Sequence, residues 1–140
     1  MLSERIGHSM RSDKLVTTAS QASVFEIARL MLEHDVGATL VVEDGSLLGI
    51  FTERDALFRV LAEGRDPRAV SVGEVMTQQP VTVGPEVSFG YAMVLMHERG
   101  FRHLPVVEGG RVIGIVSARD ALDPELEDFI CEERRRESLR

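Results

Sequence analysis

Apolar residues fall in short blocks along this chain, and their spacing alternates between two periods. Ala38 to Glu43 and Ser46 to Phe51 are dense in Leu, Val and Ile and flank Asp44-Gly45. Two β-rich runs around an Asp-Gly pair predict a hairpin, because such turns need positive φ and glycine tolerates it. Upstream, Leu15 to Thr18 predicts a short strand. Val24, Ile27, Ala28 and Met31 then recur at helical spacing, with Ser20 or Ser23 as the cap and an end near His34-Asp35, just before Gly37. A second helix is predicted from about Glu53 to Glu63, closed by Gly64.

The same pattern returns 65 residues later. Gly49-Ile50-Phe51-Thr52-Glu53-Arg54-Asp55-Ala56-Leu57 becomes Gly114-Ile115-Val116-Ser117-Ala118-Arg119-Asp120-Ala121-Leu122. Without gaps, residues 16–57 and 81–122 are identical at 16 of 42 positions. A repeat this long sets the architecture. The second copy predicts a strand at Val81–Val83, a helix faced by Phe89, Ala92, Met93 and Met96, and a hairpin of His103–Glu108 with Arg111–Val116 across Gly109-Gly110. Lead-ins match as well: Ile6-Gly7-His8-Ser9-Met10 echoes Val72-Gly73-Glu74-Val75-Met76, and Ser71-Val72-Gly73-Glu74 reads as a capping box. Asp123-Pro124 predicts a fresh helix start, and the charged tail carries Leu126, Phe129 and Ile130 as one apolar stripe. The expected organisation is a lead-in at 1–14, repeat one at 15–64, a linker at 65–80, repeat two at 81–122 and an amphipathic helix at 123–140. Each repeat is marginal for folding alone, so the two are expected to pack as one α/β (α+β) unit.

Composition narrows the function. The 140 residues are 44% hydrophobic and 28% charged, with a net charge of -7. That balance disfavours nucleic-acid binding, and Arg134-Arg135-Arg136 among glutamates reads as a solvated face. The single Cys131 excludes an intrachain disulfide. No apolar run approaches the roughly 20 residues of a membrane span, so the expectation is a cytoplasmic protein with no membrane partner. His8, His34, His97 and His103 show no metal-ligand spacing, and no phosphate loop or nucleophile with its base is legible.

The order strand, helix, strand, hairpin, strand, helix, written twice with Gly-Ile-apolar-(Thr/Ser)-x-x-Asp after the last strand, resembles the CBS domain family. Glu74-Val75-Met76-Thr77 and Arg102-His103-Leu104-Pro105-Val106-Val107 resemble it too. The likeness covers roughly residues 6 to 122. It implies tandem β-α-β-β-α repeats packed through their small sheets as a pseudo-twofold pair, the unit called a Bateman module. It also implies two related clefts that take adenosine-containing ligands: AMP, ADP, ATP, NAD or S-adenosylmethionine. A homodimer, an unidentified target protein and a non-catalytic regulatory role follow from the same resemblance.

The residues suit such ligands. Thr52 and Ser117 stand where a strand gives way to a helix, and free amides with partial positive charge favour a phosphate there. Asp55 and Asp120, one turn on, can accept from both ribose hydroxyls. Arg54 and Arg119 supply positive charge. Ile50 and Ile115, with Val16 or Val81, offer apolar walls for the adenine. Backbone near Gly37-Ala38 and Arg102-His103 reads the base edge, as the resemblance implies, and the small Gly37-Ala38 pair is expected to leave the first cleft the roomier. A competing reading stays open: Thr52-x-x-Asp55 and Ser117-x-x-Asp120 are also ordinary capping boxes. On that reading the chain is a ligand-free interaction or dimerisation module.

Overall fold

In chain order the elements are α1 (Ile6–Ser9), β1 (Thr17–Thr18), α2 (Val24–His34), β2 (Ala38–Glu43), β3 (Ser46–Thr52), α3 (Glu53–Asp55), α4 (Val72–Val75), β4 (Thr77–Gln78), α5 (Phe89–Arg99), β5 (His103–Glu108), β6 (Arg111–Ser117) and α6 (Arg119–Ser138). The structure is a computed structural model that describes residues 2–10 and 14–139, with the side chains of Ser9, of 120–128 and of Ile130 outside the description. From Ala56 to Leu61 the helix begun by α3 is wound as a π-helix, a local widening that periodicity alone does not predict.

Both hairpins turn on two residues of positive φ, Asp44 (51°) with Gly45 (82°) and Gly109 (58°) with Gly110 (80°), as a twist-matched two-residue turn requires. Their registers are the same at an offset of 65: Ala38 faces Thr52 as His103 faces Ser117, and each ladder shifts by one residue, at Val41/Val42 and Val106/Val107. The first sheet runs β1-β2-β3-β4, with β1 parallel to β2 and the other pairs antiparallel. The second is β5-β6.

The strand predicted at Val81–Val83 does not form as such. Only a single parallel bridge joins Val83 to Val106. Leu40 explains the difference: its N–H donates to the Val16 carbonyl at 2.9 Å, and the matching residue of the second repeat is Pro105, which has no N–H to give Val81.

Helices α2 and α5 start alike. The hydroxyls of Ser23 and Ser88 accept from the amides of Glu26 and Tyr91, each at 3.1 Å, so Ser23 rather than Ser20 is the cap. Both end on a left-handed residue, Asp35 and Gly100. Val24, Ile27 and Met31 are buried as expected, but Ala28 is exposed. One residue past Ile27 turns about 100° round the helix, off the buried line. The fresh helix expected at Asp123-Pro124 is absent, because α6 runs unbroken from Arg119. Pro124 removes one backbone bond without ending it.

Three clusters make the core. Val24, Ile27, Met31, Val41, Phe51 and Val60 bury one face of the first sheet under α2. Phe89, Ala92, Met96, Leu104, Val106 and Val116 do the same for the second. Between the sheets, Leu40, Ile50 and Ile115 meet with Val42, Leu47 and Val112. Ile50 with Ile115 and Leu47 with Val112 are equivalent positions of the two repeats, so the sheets face each other across a pseudo-twofold axis.

The lead-ins are exchanged. Ile6 belongs to the second cluster, while Val72 and Val75 belong to the first. Ile6 and Gly7 donate to the carbonyls of Val87 and Pro85, both at 2.9 Å, as Val72 and Gly73 donate to those of Ala22 (2.8 Å) and Ser20 (2.9 Å). Ser71 and Glu74 form the predicted capping box: the Glu74 carboxylate accepts from the Ser71 amide at 2.8 Å and its hydroxyl at 3.0 Å. These bonds, with help from Arg65, hold Glu74 below its ordinary carboxylate pKa. Each lead-in closes with a methionine lying on a glycine of the other repeat. A Cβ at Gly49 would stand 2.5 Å from Met76 Sδ and 2.7 Å from the Thr77 carbonyl, and one at Gly114 would stand 2.5 Å from Met10 Sδ.

Among the described residues two buried positions are polar, Thr39 and Asp55. Thr39 is fully buried, and its hydroxyl has no hydrogen-bond partner among the described residues. The second repeat carries Leu104 there.

Gly49→Ala is expected to lower stability by about 1–3 kcal/mol, because the Thr77 carbonyl cannot yield as a flexible side chain does. Urea denaturation checks this, and an unchanged midpoint would contradict the packing described.

Candidate functional site

A cleft of about 390 Å³ opens where the first phrase meets the second repeat. β3 and the start of α3 supply Ile50, Thr52, Arg54 and Asp55, and the π-helical turn adds Phe58 and Arg59. Opposite stand Val81, Phe101 and His103, with Thr77, Gln79 and Pro80 from the segment joining the repeats. The crossing follows from the sheets packing face to face, which brings the first phrase against the second repeat.

Thr52 is the hinge between strand and helix. Its hydroxyl accepts from the Asp55 amide at 3.3 Å, and Asp55 Oδ2 accepts from the Thr52 amide at 3.0 Å and the Thr52 hydroxyl at 3.2 Å. That is a complete capping box. Asp55 is only 8% exposed, and its other oxygen, Oδ1, lies 3.5 Å from Nε of Arg59. Arg59 also ties the site to the exchanged lead-in: its Nη1 donates to the carbonyls of Val75 (3.3 Å) and Met76 (3.1 Å). Arg54 lies over the Phe58 ring at 5.0 Å from the centroid, a cation held against an aromatic face.

Among the residues singled out from sequence, Ile50, Thr52, Arg54, Asp55, Val81 and His103 line this one cleft. Gly37 and Ala38 do not, contrary to the expectation that they set its room. The second repeat's His103 lines it instead. Gly37 serves the phrase of its own repeat, its carbonyl accepting from the Glu53 amide at 3.0 Å, as that of Arg102 accepts from Ala118 at 2.9 Å. Ala38 and Ile115 lie buried between the sheets, and Val16 is buried at 6% exposure.

The second phrase differs in its details. α6 begins one residue later than α3 does, and Ser117 accepts from the Arg119 amide at 3.2 Å, two residues on rather than three. Arg119 is exposed. The side chain of Asp120 lies outside the described residues. Phe58, Arg59, Phe101 and the segment Thr77–Pro80 were not anticipated. Phe58 and Arg59 carried a signal, since they stand three and four residues past Asp55 on its helix.

Among the described residues there is no group of His, Cys, Asp and Glu able to hold a metal, and no helix long and apolar enough to cross a membrane.

Two interlocked repeats that share a cleft at their sheet interface define a two-repeat module. Family comparison agrees: the CBS domain matches residues 6–62 and again 72–125. The chain belongs to the CBS domain family. It is 35% identical over 127 residues to an uncharacterized protein of Methanopyrus kandleri, covering 89% of this chain but only 64% of that one. With the CBS domain-containing protein YhcV of Bacillus subtilis it shares 38% over 107 residues, 76% of each chain. Among solved structures, a conserved protein of Pyrococcus horikoshii superposes with a TM-score of 0.82 at 30% identity, over 89% of this chain and 94% of its own. The CBS domain pair of protein MJ0100, solved with 5-methylthioadenosine and S-adenosyl-L-methionine, shares the fold at 23% identity and a TM-score of 0.78, over 89% of this chain and 98% of its own. The chain is thus a CBS domain pair, a regulatory module.

Thr52→Val removes the acceptor of the Asp55 amide. Without ligand it is expected to cost about 1 kcal/mol, read as a lower melting temperature. No change would mean that the box contributes nothing to the fold.

Proposed function

We propose that the chain is a non-catalytic regulatory module that binds an adenosine-containing nucleotide (AMP, ADP, ATP or NAD, or else S-adenosylmethionine) between its two repeats and signals to a partner protein. The observation that carries this is the composition of the cleft. A buried carboxylate, Asp55, a hydroxyl at a helix start, Thr52, and the cation Arg54 sit beside the apolar Ile50, Val81 and Phe101. Asp55 accepts the ribose diol, Thr52 and the helix start meet a phosphate, and the apolar wall takes the base. The second repeat offers Ser117, Arg119 and Asp120 for a related cleft.

Because residues of both repeats border the cleft, a ligand there favours one relative placement of the repeats over another, which is the differential binding that regulation requires. The same proposal makes the module a homodimer packed through its helices. Leu32 on α2 and Leu57 and Leu61 past α3 are apolar and at least half exposed, which such a contact would cover.

The complete capping box around Thr52 and Asp55 favours a second reading, in which these residues only cap α3 and the module works without a ligand. Thermal melting separates the two. A ligand at 100 times its dissociation constant stabilises by about 2.7 kcal/mol, a shift of several degrees for a domain of this size. AMP, ADP, ATP, NAD or S-adenosylmethionine at millimolar concentration is expected to give that shift, and Asp55→Ala to abolish it. No shift with any of them would favour the ligand-free module.

A further inference from the structure

We propose that Arg59 makes the cleft beside Thr52 and Asp55 selective for nucleoside di- and triphosphates over the monophosphate. This rests on the adenosine-binding reading above and adds to it the number of phosphates.

Among the described residues the cleft is lined by two arginines, Arg54 and Arg59, and one carboxylate, Asp55. Arg59 is fixed before any ligand arrives. Its Nε forms an ion pair with Asp55 Oδ1 at 3.5 Å, and its Nη1 donates to the carbonyls of Val75 and Met76. Its Nη2 makes no hydrogen bond among the described residues, so two N–H groups of a pinned guanidinium are left over. The side chain is half exposed. A guanidinium held by two carbonyls and one ion pair loses little freedom when it takes up an anion, and its planar fork suits phosphate oxygens. Arg54, stacked on Phe58, stands one turn away on the same helix and adds a second positive charge at the cleft edge. A monophosphate at Thr52 needs only the helix start. A longer phosphate chain carries more negative charge and reaches past Asp55 toward the arginines.

The second repeat is built differently at these positions. An offset of 65 puts Asp123 and Pro124 where Phe58 and Arg59 stand. The aromatic support and the pinned cation are therefore specific to the first phrase, and the repeat did not copy them. A helix cap needs neither, so the capping role of Thr52 and Asp55 does not account for them.

Calorimetric titration of the full chain with AMP and ATP, without added divalent cation, tests the assignment. ATP is expected to bind roughly tenfold tighter than AMP or better, the scale of one charge-assisted pair. Arg59→Gln should bring the ATP-to-AMP affinity ratio close to one, and Arg59→Lys, which keeps the charge without the fork, should keep part of it. A general loss of stability moves both affinities together and leaves the ratio alone. A wild-type ratio near one, or a ratio unchanged in Arg59→Gln, would overturn the role of Arg59 while leaving the adenosine site standing. Binding of neither AMP nor ATP would overturn the adenosine reading and this proposal with it.

Discussion

Each repeat is finished by the segment that precedes the other one, and the rest of the molecule depends on that exchange. A repeat of some 45 residues buries too little apolar surface to stand alone. Ile6 fills the core of the second repeat, and Val72 and Val75 fill that of the first. Burying such side chains contributes about 1.5–3 kcal/mol each, and the backbone bonds of Gly7 to Pro85 and Gly73 to Ser20 fix their register. The two repeats are therefore one cooperative unit rather than two beads. The exchange also explains the glycine that opens the repeated phrase: Met76 and Met10 lie where a side chain on Gly49 or Gly114 would have to go.

The cleft is a consequence of the same arrangement. Because α4 returns to the first repeat, the chain must then pass through Thr77–Pro80 to reach the second, and it runs along the mouth of the cleft as it does so. Arg59 reads that passage directly through the carbonyls of Val75 and Met76. Asp55 is thus joined to the lead-in through one side chain, Arg59, a short physical link between the cleft and the joint that relates the two repeats.

Much of this was legible in the chain itself. The offset of 65 foretold two copies of one fold, and the hairpins at Asp44-Gly45 and Gly109-Gly110 follow from turn chemistry. The cap of α2 at Ser23 and most of the core lines of α2 and α5 follow from local spacing, Ala28 excepted. Six of the expected site residues do meet in one cleft. What escaped depended on distance along the chain. Local periodicity carries no sign that Ile6 packs on α5, or that His103 rather than Gly37 lines the cleft with Thr52. The failed strand at Val81–Val83 was legible only through a missing donor, since Leu40 and Pro105 differ in nothing else the ladder needs. The π-helical turn and the buried hydroxyl of Thr39 break local rules, and such departures are what pattern reasoning passes over.

The most direct test of the central claim, that one ligand site is shared by both repeats, is a backbone amide NMR titration of the full chain with ADP. The account predicts saturable shifts in two groups far apart in sequence, Thr52 to Asp55 in the first repeat and Val81 with His103 in the second. Shifts confined to one repeat, or none at all, would contradict it.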